Sequence, residues 1–163
     1  MSADRSLATG FSTPEESTGL LLWQVTNRWQ AAQRAALKPF GLTHVQFVLL
    51  AALTWLGDEG PVTQRALAGQ AGTDPMMTSQ VVRVLERRDL VDRTPHQADG
   101  RAWSLSVTDA GLALANRAVV AVEACDAAFF GPLGPAGQTS VAVSPLPERG
   151  TRVRSGKSQS FSR

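Results

Sequence analysis

The sequence predicts a mainly helical fold with one small β-hairpin. Apolar residues recur every three or four positions in five segments between residues 15 and 130, as helical faces require. Two short stretches between the fourth and fifth segments, joined by a polar loop, have strand character instead. Residues 131–163 contain five Gly, four Pro and six Ser and show no helical period. We therefore expect a flexible leader over 1–14, a folded domain over 15–130 and a disordered basic tail over 131–163.

The first two predicted helices are separated by Pro39 and Gly41, which break helices. The first spans residues 15–37, and its apolar face consists of Leu22, Val25, Trp29, Ala32 and Ala36. The second begins at the N-cap Thr43 and ends at Gly57, because glycine readily closes a helix. Its inward face consists of Phe47, Leu50, Ala51 and Leu53.

The third and fourth predicted helices are joined by about four residues. Thr63 caps a short helix over 64–70, whose core residues are Ala66 and Leu67. Asp74 caps a longer helix that runs to residue 88, with Pro75 at its first position. The inward stripe of this fourth helix is Thr78, Val81, Val82 and Leu85. Its opposite face carries Met76, Ser79, Gln80, Arg83 and Arg87.

A hairpin and a fifth helix complete the domain. Alternating residues over 102–107 predict the second strand of a two-stranded wing that begins near Leu90. Thr108 caps the fifth helix, which runs to about Phe130 along Leu112, Ala115, Val119, Val122 and Phe129. The order helix, turn, helix, hairpin is that of a winged helix-turn-helix, with the DNA-reading unit at 61–107. In such a unit the second helix of the motif, here the fourth, enters the major groove.

Charge alone does not identify a DNA-binding protein here. The sequence pI of about 9.3 reflects five basic residues after position 148, and residues 1–148 have 11 basic against 14 acidic residues. The motifs therefore carry the prediction. No apolar run reaches the ~20 residues of a membrane span, and residues 1–19 lack a secretory signal. We expect a cytoplasmic protein without a membrane partner, and the lone Cys125 agrees.

The segment over about 15–130 resembles the MarR family of bacterial regulators. The residues that carry the resemblance are Leu42, Thr43, Gln46, Leu49, Leu67, Ala68, Ser79, Leu85, Glu86, Leu90, Val91, Arg93, Asp99, Arg101, Thr108 and Gly111. The resemblance implies a homodimer, joined through its first and last helices, that represses transcription at near-palindromic operators. It also implies release of DNA when a small aromatic effector or an oxidant acts on the dimer.

The resemblance further implies which residues meet double-stranded DNA. Ser79 and Gln80 would read bases, and Gln suits adenine because its amide both donates and accepts. Arg83 and Arg87 would lie nearby, and Arg65 is a candidate phosphate contact. In the wing, Asp99 would hold Arg101 in a narrow minor groove. These residues could alternatively form a solvated helix face and a surface ion pair.

Three features depart from the family pattern. Asp89 replaces a common Gly after the recognition helix, and Asp tolerates the left-handed conformation. The wing has Asp99-Gly100-Arg101 where Asp-Arg-Arg is common. Residues 131–163 do not resemble the sixth helix that completes the family's dimer interface.

Other sites have weaker support in the sequence. Trp23, Phe47 and Trp55 are candidates for an aromatic-effector pocket, although aromatic residues at helical spacing are more often core. Cys125 lies among apolar residues and is predicted to be an inert thiol. We predict no metal site, no cofactor and no enzymatic activity, since no ligand cluster, phosphate loop or nucleophile motif occurs. A winged-helix module that binds proteins but not DNA is the alternative function.

Overall fold

A computed structural model describes residues 7–57, 60, 62–95, 103–134 and 136–137. The chain divides into two compact units, Met1–Phe129 and Phe130–Arg163. The helices are α1 (Thr18–Leu37), α2 (His44–Gly57), α3 (Gln64–Ala71), α4 (Pro75–Arg87) and α5 (Asp109–Phe130), and the strands are β1 (Val62–Thr63), β2 (Val91–Pro95) and β3 (Trp103–Val107). The predicted fold class is confirmed.

Side-chain caps set the helix starts. α1 begins at Thr18 rather than at residue 15, because Pro14–Glu16 forms a separate 3-10 turn. The backbone N–H of Leu20 then donates to the Ser17 hydroxyl at 3.3 Å. α2 has a reciprocal cap: the Gln46 N–H donates to Thr43 Oγ1 at 3.3 Å, and the Thr43 N–H donates to Gln46 Oε1 at 3.1 Å.

The sheet has one strand more than the predicted two-stranded wing. β3 pairs antiparallel with β2 on one side and with β1 on the other, in the order β1-β3-β2. Val62 lies opposite Leu105, and Val91 lies opposite Val107. Two residues are too few to show an alternating pattern, so β1 has no sequence signature. Its pairing with β3 connects the start of α3 to the base of the hairpin.

The core lies between α2, the helix-turn-helix and the sheet. Its fully buried large side chains are Leu37, Leu49, Leu50, Leu53, Leu67, Leu85, Leu105, Gln33, Val82, Val91 and Thr78. The predicted inward stripe of α4 is confirmed, with Val81 half-buried. Most of the predicted inward face of α2 is likewise buried, and Ala51 is half-buried.

Several predicted core positions lie elsewhere. Ala66 is exposed and its neighbour Ala68 is buried, because α3 turns its Leu67–Ala68 edge towards α2 and α4. In α5 Leu112 is exposed, whereas Leu114 and Ala118 are buried. In α1 the predicted residues Leu22 and Val25 are exposed, and only Gln33 and Leu37 are fully buried. Within the described residues, the first half of α1 therefore contributes no buried side chain to the core.

A close contact joins the end of α4 to the start of α5. Asp89 has φ 54°, so the left-handed turn expected there is present without glycine. The Thr108 hydroxyl donates to the Asp89 carbonyl at 2.7 Å and accepts from the Gly111 N–H at 3.0 Å. A Cβ at position 111 would overlap the Leu90 carbonyl. Gly111 is needed here for close approach.

Much of the predicted leader and most of the predicted tail lie outside the described residues. The expected disordered tail begins with a 3-10 turn at Gly131–Leu133, and the remainder from residue 138 lies outside the described residues. The same holds for wing residues 96–102 and for residues 1–6 of the leader.

Candidate nucleic-acid interface

The outward face of α4 is a line of exposed side chains opposite the core. Thr78, Val82 and Leu85 are buried on the inner side. On the outer side lie Met76, Gln80, Arg83 and Arg87, all exposed and spaced by four, three and four residues. At 3.6 residues per turn this spacing places them on one face. Ser79 is half-buried at the edge of this face.

The turn between α3 and α4 fixes that face in position. Asp74 caps α4, and its carboxylate accepts from the backbone N–H groups of Met76 at 2.8 Å and Met77 at 3.1 Å. The buried Thr78 hydroxyl donates to the Asp74 carbonyl at 2.8 Å. It also lies 2.7 Å from the Thr73 hydroxyl. Gly72 closes α3 with φ 62°, and only three residues connect α3 to α4.

Basic side chains near this face differ in what they contact. Arg65 is exposed on the first turn of α3, as a phosphate contact requires. Arg88, just beyond α4, instead donates to the Gly41 carbonyl at 3.0 Å and to Gln46 Oε1 at 3.3 Å. Arg88 thus holds α4 against the start of α2. The predicted basic contacts that are exposed in the described part of this surface are Arg65, Arg83 and Arg87.

The wing is described only at its base. The Arg93 guanidinium lies 4.3 Å from the centre of the Trp103 ring, a cation–π contact across β2 and β3. The Nε atom of Arg93 is buried, and no hydrogen-bond partner is found for it among the described residues. Asp99 and Arg101, predicted to enter the minor groove, lie outside the described residues.

The residues predicted to line an aromatic-effector pocket differ in burial. Phe47 is 6% exposed within the core, whereas Trp23 and Trp55 are 66% and 69% exposed on α1 and α2. An aromatic-effector pocket formed by these three residues therefore stays a prediction.

A polar cluster between α1, α2 and α5 was missed by the sequence analysis. Asp126 Oδ1 accepts from Trp29 Nε1 at 2.7 Å and from Gln33 Nε2 at 2.6 Å. The Trp29 ring meets His44 edge to face, with 5.0 Å between ring centres. Gln33 is fully buried, and its Oε1 atom has no hydrogen-bond partner within the part of the chain that the structure describes. Nothing local in the sequence marks this cluster, because its members come from three separate helices.

Two titratable groups in or beside this cluster have shifted pKa values. Burial lowers the pKa of His44; Asp126 partly opposes this shift, and the positive charge of Arg34 adds to it. Partial burial raises the pKa of the Cys125 thiol, and the neighbouring Asp126 carboxylate raises it further. Cys125 is half-buried rather than fully buried. A raised pKa keeps the thiol protonated and agrees with the predicted inert role.

The described residues contain no group of three or more His, Cys, Asp or Glu side chains that could hold a metal ion. Among these same residues, no single helix is long and apolar enough to cross a membrane. One bent pair of helices, Thr18–Phe40 and His44–Gly57 at 76°, has that length and composition.

Comparisons with known proteins agree on one family. Residues 42–103 match the model of the MarR family. An uncharacterized HTH-type transcriptional regulator of Bacillus subtilis is 44% identical over 121 residues, which cover 74% of this chain and 82% of the relative. The structure of Bordetella bronchiseptica BpsR, from work on its regulation by 6-hydroxynicotinic acid, has a TM-score of 0.74 at 27% identity, covering 82% and 93% of the two chains. The repressor CouR of Rhodococcus jostii, bound to a 23-mer DNA duplex, has a TM-score of 0.69 at 26% identity, covering 78% and 89%.

Proposed function

Because the chain belongs to the MarR family of transcriptional regulators, we propose that it is a ligand-responsive repressor that binds near-palindromic operators as a homodimer. The observation that carries the proposal is the outward face of α4, where an amide and two guanidinium groups project from a firmly capped helix. This is the arrangement that a helix-turn-helix presents to the major groove. We propose a cytoplasmic localisation, because a bacterial regulator binds DNA in that compartment.

Each candidate residue has a proposed role on DNA. Gln80 pairs with the N6 and N7 edge of an adenine, and Ser79 contacts a base at the side of the face. Arg83, Arg87 and Arg65 neutralise phosphates and set the register of the helix in the groove. In the wing, Asp99 orients Arg101 towards the minor groove of the flanking sequence.

Exposed apolar side chains in the first half of α1 support the homodimer. Its first half exposes a run of large apolar side chains to solvent: Leu20, Leu21, Leu22, Trp23 and Val25. Val120 and Leu112 are exposed on α5 as well. Contiguous apolar surface on a soluble protein marks an interaction site. We therefore propose that α1 and α5 pair with their copies in a second chain.

An aromatic effector is the proposed signal. The DNA binding of BpsR is regulated by 6-hydroxynicotinic acid, and CouR has been solved bound to p-coumaroyl-CoA. In this chain Trp23 and Trp55 expose aromatic rings on the helices beside the winged domain. Quenching of tryptophan fluorescence by hydroxylated benzoic acids tests this part, and loss of quenching in Trp23→Phe or Trp55→Phe would locate the site.

A mobility-shift experiment tests the DNA-binding function directly. Purified protein is titrated onto the duplex that flanks its own gene, with a scrambled duplex of equal length as competitor. We expect a complex that survives excess competitor and is lost in the Gln80→Ala, Arg83→Ala double variant. Gln70→Ala, an exposed glutamine at the far end of α3, is the matched control. A stable dimer that binds neither duplex would favour the protein-interaction alternative.

A further inference from the structure

One apolar side chain projects from the face of α4 that we assign to DNA. Met76 is 72% exposed at the second position of the helix. Single exposed apolar residues are common on protein surfaces, so exposure alone identifies no partner. The position of Met76 is what distinguishes it. Because Met76 shares a face with the polar and basic side chains that we assign to DNA, its apolar surface would be buried against the bound molecule.

Helical spacing places Met76 in line with the proposed DNA contacts. It precedes Gln80 by four residues and Arg83 by seven, the separations that stack side chains on one face. It is also nearest the N-terminal end of α4, the end whose residues contact base edges in this motif. The backbone N–H of Met76 is already bound by the Asp74 carboxylate at 2.8 Å. Its side chain is therefore the group left to reach into the groove.

The major groove offers this side chain one apolar group. Among the edges of the four base pairs, only thymine carries a methyl group, at C5. We propose that Met76 contacts the C5-methyl group of a thymine in each half-site and thereby selects thymine over cytosine at that position. The inference rests on the proposed function, because it requires α4 to lie in the major groove.

The proposal also restricts where the thymine lies. Four residues of α-helix rise about 6 Å, and successive base pairs are about 3.4 Å apart. The thymine should lie within about two base pairs of the adenine that Gln80 contacts. The two side chains together would read a short A·T-containing element in each half-site, one through hydrogen bonds and the other through a methyl contact.

Replacing thymine by deoxyuridine tests the contact, because it removes the methyl group and leaves the hydrogen-bonding edge unchanged. The probe is a duplex that the wild-type protein itself selects from a random library, with each thymine of one half-site replaced singly. We expect one position at which deoxyuridine weakens wild-type binding about fourfold, the effect of losing one buried methyl-sized group. Met76→Ala should bind the thymine and deoxyuridine duplexes at that position equally.

Met77→Ala is the matched control. Met77 is the adjacent methionine, 40% exposed, and it projects about 100° around the helix from Met76. This variant should keep the wild-type sensitivity to deoxyuridine, and circular dichroism should show both variants folded.

The outcomes separate the inference from the function it rests on. If no deoxyuridine duplex weakens wild-type binding, if Met76→Ala keeps the sensitivity, or if Met77→Ala loses it, the assignment to Met76 is wrong while DNA binding stands. If the wild-type protein selects no duplex at all, the proposed function is wrong and the inference with it.

Discussion

Trp29 and Asp126, 97 residues apart in the sequence, are joined by a hydrogen bond of 2.7 Å from the indole Nε1 to the carboxylate. The same Oδ1 atom accepts from the fully buried amide of Gln33 at 2.6 Å. One carboxylate oxygen on α5 therefore holds two side chains of α1. This contact links the helices proposed to form the dimer, and it lies beside His44 at the start of α2.

We expect Asp126→Ala to destabilise the fold by about 1–3 kcal/mol, because it removes the acceptor of a buried amide. Asp126→Asn should cost less, since Asn retains an oxygen that can accept from both donors. Urea unfolding followed by circular dichroism measures both. Equal stability of the alanine variant and the wild type would contradict the structural role of Asp126.

The stability of the protein should fall as the pH drops below about 6.5, the ordinary pKa of histidine. Burial lowers the pKa of His44 in the folded state, so the unfolded chain binds a proton more readily in the window below that value. The contribution of neutral His44 is therefore complete above pH 6.5 and is lost as the pH falls towards the folded pKa. His44→Gln should flatten this part of the stability profile.

NMR titration of the His44 ring checks the same prediction directly. The folded protein should titrate below the urea-unfolded chain, and Asp126→Asn should lower the folded pKa further, because the Asp126 charge raises it. A folded pKa at or above that of the unfolded chain would show that burial does not dominate at this ring.

Gly111→Ala should destabilise the protein by about 1–3 kcal/mol or more, as overpacking does. The added methyl group would overlap the Leu90 carbonyl, which is backbone and cannot rotate away. Gly69→Ala in α3 is the control, since nothing lies within 4 Å of its added Cβ and alanine favours helix by up to about 1 kcal/mol. The prediction fails if Gly111→Ala melts at or above the wild-type temperature.

Gln80→Ala should cost about 1–3 kcal/mol of operator binding and relax the preference at one base pair of each half-site. Selection from a random library, repeated with the variant, reports that preference. Gln70→Ala, which changes an exposed glutamine on α3, should leave that preference unchanged. An equal loss of affinity for specific and random DNA would show that Gln80 contacts the DNA backbone and not a base.

Arg101→Ala should weaken binding to many sequences alike and reduce the slope of log affinity against log salt by roughly one. A minor-groove guanidinium displaces a counterion whatever the sequence. Arg117→Ala, an exposed arginine on α5, controls for the loss of a charge remote from the wing. An unchanged slope would place Arg101 away from the DNA.

The parts of the fold that could be predicted from sequence are those set by local chemistry. Thr63, Asp74 and Thr108 accept backbone N–H groups at the predicted helix starts. The apolar stripe of α4 was likewise predictable, because three buried neighbours at helical spacing suffice to define a face. The predicted outward position of Gln80 followed from that stripe.

Other features depend on contacts between segments distant in sequence. β1 exists because β3 lies beside it, and two residues carry no period of their own. Ala68 is buried in place of Ala66, since the packing of α3 on its neighbours chooses which small side chain faces inward. Helix packing likewise explains why Leu114 is buried and Leu112 is exposed in α5.

The sequence by itself determined the order of helices and hairpin, the caps that begin the helices and the outward face of α4. Each depends on residues within about one turn of one another, where hydrogen bonding and helical period act without the rest of the chain. Only the tertiary structure decided that Asp126 meets Trp29 and Gln33, that the Leu90 carbonyl packs against Gly111, and that Arg88 hydrogen-bonds to the start of α2. Those contacts join residues that helix packing alone brings together.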